Sequence, residues 1–135
     1  MAIHVLNDAY VTIGGTDLSA YVKEVRITDN YDQLDPTAMG DTARRRKKGL
    51  QDWTVEVRLL QDFAALAVDA VLSPLVGADT CALVIRPTDA AKSATNPEWG
   101  GNGYLASYSP IGGTVGDLHE TTVTFLSNGA LSRSV

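Results

Sequence analysis

Between Asp52 and Leu59 the chain alternates strictly, with Trp53, Val55, Val57 and Leu59 on one side and Asp52, Thr54, Glu56 and Arg58 on the other. A period of two belongs to a β-strand with one buried face, and a register slip of one would bury the polar set. A second strand is expected across Tyr21 to Thr28, where Tyr21, Val25 and Ile27 share one face and Glu24, Arg26 and Thr28 the other, broken by Val22 and Lys23. Before it, Tyr10-Val11-Thr12-Ile13 followed by Gly14-Gly15 reads as a short strand closed by a tight turn, and Leu18 to Tyr21 leads onward.

One helix is expected. Asp62 has the chemistry of an N-cap, and Phe63, Leu66, Ala67, Ala70 and Val71 recur at helical spacing up to about Leu72, ahead of Ser73-Pro74. Cys81 to Ile85 is a continuous apolar run, which predicts a strand buried on both faces. Thr88 to Gly103, with Asn96-Pro97 and Gly100-Gly101, reads as a surface loop; Gly100-Gly101 and Gly112-Gly113 read as turn glycines. Strands follow at Tyr104 to Tyr108 and at Glu120 to Leu126, with Pro110 to Gly116 as a turn. The sum is a mainly β fold: a two-sheet β-sandwich or small barrel with one packed α-helix, in a single domain spanning 1–135.

The two best strands flank a long connection at about 33–50, and a cluster of basic residues lies within it. Arg44, Arg45, Arg46, Lys47 and Lys48 are five of the chain's 11 basic residues, leaving 6 against 16 acids and a body of net charge near −10. A loop and a globule of opposite sign suit a homotypic contact, the loop meeting acids such as Asp29, Asp32, Asp35, Asp41, Asp69 or Asp117 on an adjacent subunit. The rival readings are a solvated loop and a nucleic-acid contact; a net charge of −5 and the lack of aromatics among the basic residues weigh against the latter.

Little in the chain points to catalysis, a metal or a cofactor. His4 and His119 lie in no metal-ligand spacing, and no phosphate-cradling glycine motif is present. Cys81 sits in an apolar run, where a core thiol is the better reading, and most carboxylates fall on outer strand faces or in turns. A carbohydrate-binding module is the reading in which Trp53, Trp99 and Tyr104 supply stacking platforms; Trp53, alternating with valines, fits the core better. Met1-Ala2-Ile3-His4 lacks the basic-then-apolar pattern of a signal peptide, no apolar run approaches a membrane span, and a lone cysteine suits a reducing cytoplasm.

The order of elements, together with AYVTIGGTDLSAYV (Ala9 to Val22), DWTVEVRL (Asp52 to Leu59) and SATNPEW (Ser93 to Trp99), resembles the major tail tube proteins of long-tailed phages, a family related to type VI secretion tubes. The likeness is nearest to the small tail tube proteins of non-contractile phages and gene-transfer particles, and it spans nearly the whole chain. It implies a structural virion protein with no enzymatic activity and no cofactor, assembled in the host cytoplasm as hexameric rings that stack into a tail tube for DNA delivery. Its partners would be further copies of itself and the tail tip, tape measure and tail terminator proteins. DNA would pass without specific binding, and no membrane would be engaged. Arg44 to Lys48 occupy the position of the family's inter-subunit loop. Glu24, Asp52 and Glu56, on the polar faces of the two best strands, are candidates to line the lumen, although Arg26 and Arg58 share those faces. Another small virion protein, such as a capsid decoration protein, a tail terminator or a head–tail joining protein, is the alternative.

Overall fold

The alternation that marks Trp53 to Leu59 is the central fact of the fold: Trp53, Val55, Val57 and Leu59 are completely buried, with Asp52, Glu56 and Arg58 exposed on the opposite face. The computed structural model describes residues 3–135; Met1 and Ala2, part of the stretch read for signal character, lie outside the described residues. In chain order the strands are β1 (Tyr10–Ile13), β2 (Thr16–Asp17), β3 (Val22–Leu34), β4 (Lys47–Leu60), β5 (Cys81–Arg86), β6 (Glu98–Tyr108), β7 (Glu120–Ser127) and β8 (Ser132–Ser134), with one short helix α1 (Val68–Leu72). All pairings are antiparallel.

The strands form one eight-stranded sheet in the order β2-β1-β5-β6-β7-β4-β3, with β8 paired to β6. This replaces the expected two-sheet sandwich or small barrel. A single sheet can enclose one core because β6 is long enough to change neighbours: it pairs β5 and β8 around Trp99, and β7 from Gly103 onward. The β6–β7 register shifts at a bulge between Leu105 and Ser107, an irregularity that adds local twist. The core gathers Val11 and Ile13 of β1, the β4 set, Leu83 and Ile85 of β5, Val123 and Phe125 of β7, and Val68 and Leu72 of α1.

Trp53 fixes the register at the centre. Its indole N–H donates to the Gly129 carbonyl at 2.9 Å. A Cβ added at Gly101 would lie 2.7 Å from the Ala130 carbonyl oxygen, and one at Gly103 would lie 3.0 Å from the Trp53 ring. Gly100 and Gly101 are therefore strand residues of β6, where small size admits the indole and its covering chain, and the loop expected over 88–103 ends at Pro97.

The helix is much shorter than its periodicity predicted. The Asp62 carboxylate accepts the Ala64 N–H at 2.9 Å and the Tyr21 hydroxyl at 3.1 Å, closing a turn and leaving Ala67, with no side-chain cap, as the N-cap of α1. Leu66 adopts a left-handed φ of 62°, which a continuous helix cannot contain, and Phe63 and Leu66 face outward. A proline-led 3₁₀ turn, Ser73–Leu75, follows the helix. The strand over Cys81 to Ile85 also departs from expectation. Cys81, Leu83 and Ile85 are buried while Ala82 is exposed and Val84 half-buried, so only one face meets the core.

Candidate assembly interface

β3 and β4 outlast the sheet that supports them. β4 pairs with β7 only from Thr54 onward, yet β3–β4 pairing continues to Gln33 opposite Lys48 and Leu34 opposite Lys47, with a bulge between Tyr31 and Gln33. The result is a two-stranded arm, joined by a tip loop over residues 35–46, in which every residue from Thr28 to Lys48 is exposed. Gly49 permits the close approach of the strands, since a Cβ there would lie 2.9 Å from the Asp32 Cβ. Arg44, Arg45 and Arg46 belong to the tip, whereas Lys47 and Lys48 are the first residues of β4.

The tip is held by its own side chains. Asp35 accepts the Thr37 N–H at 2.9 Å, Asp41 accepts the Ala38 N–H at 2.7 Å, and the Thr37 hydroxyl accepts the Arg45 N–H at 2.7 Å. These Asx- and Thr-mediated bonds stand in for a ladder where the strands end. Arg44 pairs with Asp35 at 3.0 Å and Arg45 lies 3.8 Å from Asp41. The Thr37 hydroxyl and N–H, assisted by the Arg44 guanidinium, hold the Asp35 carboxyl below its ordinary range. Lys48 lies 5.0 Å over the Tyr31 ring. Among the described residues, Arg46, Lys47 and Lys48 form no ion pair, so the arm's unpaired positive charge is concentrated where the tip joins β4. Exposed apolar side chains accompany it: Leu34, Leu50 and Met39, the last fully exposed.

Glu24 and Glu56 lie on the outer face of β3 and β4, where signs alternate: Glu24 sits opposite Arg58, and Arg26 opposite Glu56. The ion pairs do not follow that register. Glu24 lies 3.8 Å from Arg26 on its own strand, while Arg58 reaches Glu120 of β7 at 2.9 Å and Lys23 joins the same carboxylate. Among the described residues Glu56 has no ion pair, and Asp52 accepts the Ser127 hydroxyl at 3.1 Å. The face is mixed in charge, with acids outnumbering bases among Glu24, Asp52, Glu56, Arg26 and Arg58.

Two features had no counterpart in the sequence reading. Phe63, Leu66, Ile111, Val115 and Leu118 are all exposed in the 62–67 and 109–119 loops, which meet where the Phe63 and His119 rings stand 5.9 Å apart. An open apolar groove of about 350 Å³ also runs beside the free edge of β3. The groove has no linear signal because it is formed by residues from separate strands.

Other candidates are accounted for by packing. Trp53 is buried and carries no platform, Trp99 is half-buried under Arg133, and Cys81 is buried with its thiol pushed up by desolvation. No group of His, Cys, Asp and Glu among the described residues could hold a metal ion, and no helix among them is long and apolar enough to cross a membrane.

No protein-family model matches the chain, and no curated protein matches it. Solved structures do. A chain of the virion of a native gene transfer agent particle superposes with a TM-score of 0.73 at 14% identity, covering 95% of this chain and 96% of that one. A chain from the tail of an empty gene transfer agent particle with C6 symmetry gives 0.67 at 14% identity, over 85% and 83%. The tube terminating cap of the anti-feeding prophage gives 0.73 at 10% identity, over 100% and 93%. At such identities what is shared is architecture, and the chain has the tail-tube-like fold found in these particles.

Proposed function

We propose that this chain is a structural virion protein of a phage or gene-transfer particle, that it assembles into stacked hexameric rings as the tail tube, and that DNA is delivered through the lumen. The observation that carries the reading is the arm. A two-stranded ribbon is at best marginally stable alone in water, and this one exposes every residue from Thr28 to Lys48, including Leu34 and Met39. Such a ribbon gains its missing burial from a neighbouring subunit. The unpaired cations Arg46, Lys47 and Lys48 on a chain of net charge −5 add electrostatic attraction between copies.

Glu24, Asp52 and Glu56 are proposed to face the lumen, where excess carboxylate disfavours phosphate adhesion and Arg26 and Arg58 moderate the repulsion. Tail tip, tape measure and terminator proteins are the expected partners, assembly takes place in the host cytoplasm, and the finished location is the virion tail. The whole chain over 1–135 acts as one tube domain.

Negative-stain electron microscopy of concentrated protein tests this reading. Hollow tubes or stacked six-fold rings are expected from the wild type, and a monomeric, folded protein without tubes from the triple replacement of Arg44, Arg45 and Arg46 by glutamate. Tubes of normal length from the triple variant would remove the tip from the assembly mechanism.

A second reading, a tail terminator, is favoured by the similarity to a tube terminating cap, as high as that to the gene transfer agent chains. A terminator would stop at a single ring that binds tube ends, so the ring count in the same micrographs separates the two.

A further inference from the structure

The groove beside β3 exists because the sheet curls without closing. Val25 and Ile27 of β3 form one wall; Ile85 and Pro87 at the end of β5, Trp99 of β6 and Leu6 of the N-terminal segment form the other, enclosing about 350 Å³. That volume is in the range of binding clefts, roughly 300–1,000 Å³. Asp29 also lines it; among the described residues Asp29 accepts the neutral Gln51 amide at 2.9 Å and forms no ion pair, although Arg46, Lys47 and Lys48 share a neighbouring hollow with it. Arg86, the one cation among the described residues that line the groove, is already engaged: it lies 3.4 Å from Glu98 and 3.9 Å over the Tyr10 ring. The site is an apolar slot with an unpaired carboxylate in its lining.

The arm has the complementary composition. Leu34 and Lys47 are cross-strand partners, so an exposed leucine and an unpaired ammonium project from the same face of the ribbon, with Met39 exposed at the tip. We infer that the groove of one copy is the receptor for the arm of the next, Leu34 and Met39 covering the slot while Lys47 and its neighbours Arg46 and Lys48 meet Asp29. The inference rests on the assembly reading above and names the surface on which the arm lands.

An arm cannot serve its own groove. Asp29 on the groove lining and Leu34 further along the arm belong to one strand, roughly 16 Å apart at ~3.3 Å per residue, and folding back would break the β3–β4 ladder. Donor and acceptor are also different surfaces, so an arm that its receiving copy does not return makes a heterologous contact. Contacts of that kind propagate head to tail and give rings where the rotation closes and helical filaments where it does not, whereas a reciprocal exchange of arms would close as a two-fold dimer and stop any covalent ladder at two chains.

Thiol crosslinking of the full chain tests the placement, because the native Cys81 is buried and only engineered thiols are reactive. Leu6→Cys puts a thiol on the groove wall and Leu34→Cys one on the arm; Thr122→Cys, exposed on β7, is the control position. Assembled Leu6→Cys/Leu34→Cys protein treated with a short bismaleimide should give a ladder of covalent oligomers, in about tenfold or greater excess over Thr122→Cys/Leu34→Cys, since docking raises the effective concentration of one thiol at the other. A mixture of the two single variants should stop at dimers. Met39→Cys in place of Leu34→Cys should give the same ladder, which covers the case in which altering Leu34 weakens docking.

Tubes or rings in the same sample without a groove-specific ladder for either arm position would overturn the docking site and leave the assembly reading standing. Absence of both assemblies and crosslinks, in a wild type that also forms neither, would overturn both. A crosslink mapped within a single chain would place the chain's own segments on the groove and overturn the inference.

Discussion

Replacing Gly103 by alanine should destabilise the protein although it adds one methyl group to a strand. The new Cβ would lie 2.9 Å from the Leu126 carbonyl oxygen, 3.0 Å from the Trp53 ring and 3.3 Å from the Leu83 Cδ1. None can yield easily: the carbonyl belongs to the β6–β7 ladder, and the indole is fully buried and tied to Gly129. Overpacking of this kind costs ~1–3 kcal/mol, offset by ~0.4–1 kcal/mol from the stiffer unfolded chain, for a net loss of about 1–2 kcal/mol. With an unfolding entropy of ~2.1 cal/mol/K per residue, a chain of 135 residues loses about 4–7 °C in Tm. Gly112→Ala is the control, because a Cβ there meets nothing within 4 Å. Its Tm should hold or rise slightly. Circular dichroism melts of the two variants beside wild type decide the matter, and a Gly103→Ala protein as stable as Gly112→Ala would refute the claim that Trp53 and its glycines set the central packing.

Two further perturbations probe the periphery. The Glu120 carboxyl is held below its ordinary value of 4.5, chiefly by the Lys23 ammonium and also by Arg58. A depressed folded-state pKa contributes stability above the unfolded value and loses it as pH falls through the folded one. The Tm difference between wild type and Glu120→Gln should therefore be constant above pH 4.5 and shrink below it; a difference that persists unchanged into acid would contradict the assignment. Leu66, at φ 62°, carries left-handed strain of ~1–2 kcal/mol, against which glycine costs ~0.4–1 kcal/mol in unfolded-state entropy. Leu66→Gly should raise Tm modestly, and a fall in Tm would mean that the exposed side chain contributes more than the strain removes.

The strands legible from residue order alone are those whose environment is one-sided. Trp53 to Leu59 and Thr121 to Phe125 alternate because each strand has one face on the core and one outside it, and a period of two is written in neighbouring residues. The Gly14-Gly15 turn was legible for the same local reason: both glycines take positive φ, 60° and 88°, which other residues resist. The basic cluster and its place between two strands were equally plain in the sequence.

Features that depend on distant partners were fixed only by the folded arrangement. The helical spacing that starts at Phe63 gave way to a turn over 63–67 because Asp62 is committed to Ala64 and Tyr21, the latter 41 positions away, and only Val68–Leu72 is helical. Gly100-Gly101 has the composition of a turn, yet it lies in β6 because Trp53 and the chain at Ala130 and Leu131 fill the space that side chains would need. Where the supporting β7 strand stops relative to β4 decides that residues 28–48 stand free as an arm, and no periodicity records it. The groove is less legible still, since it is the gap left where one curled sheet brings β3 near β5 and β6, and a gap between strands has no residues of its own.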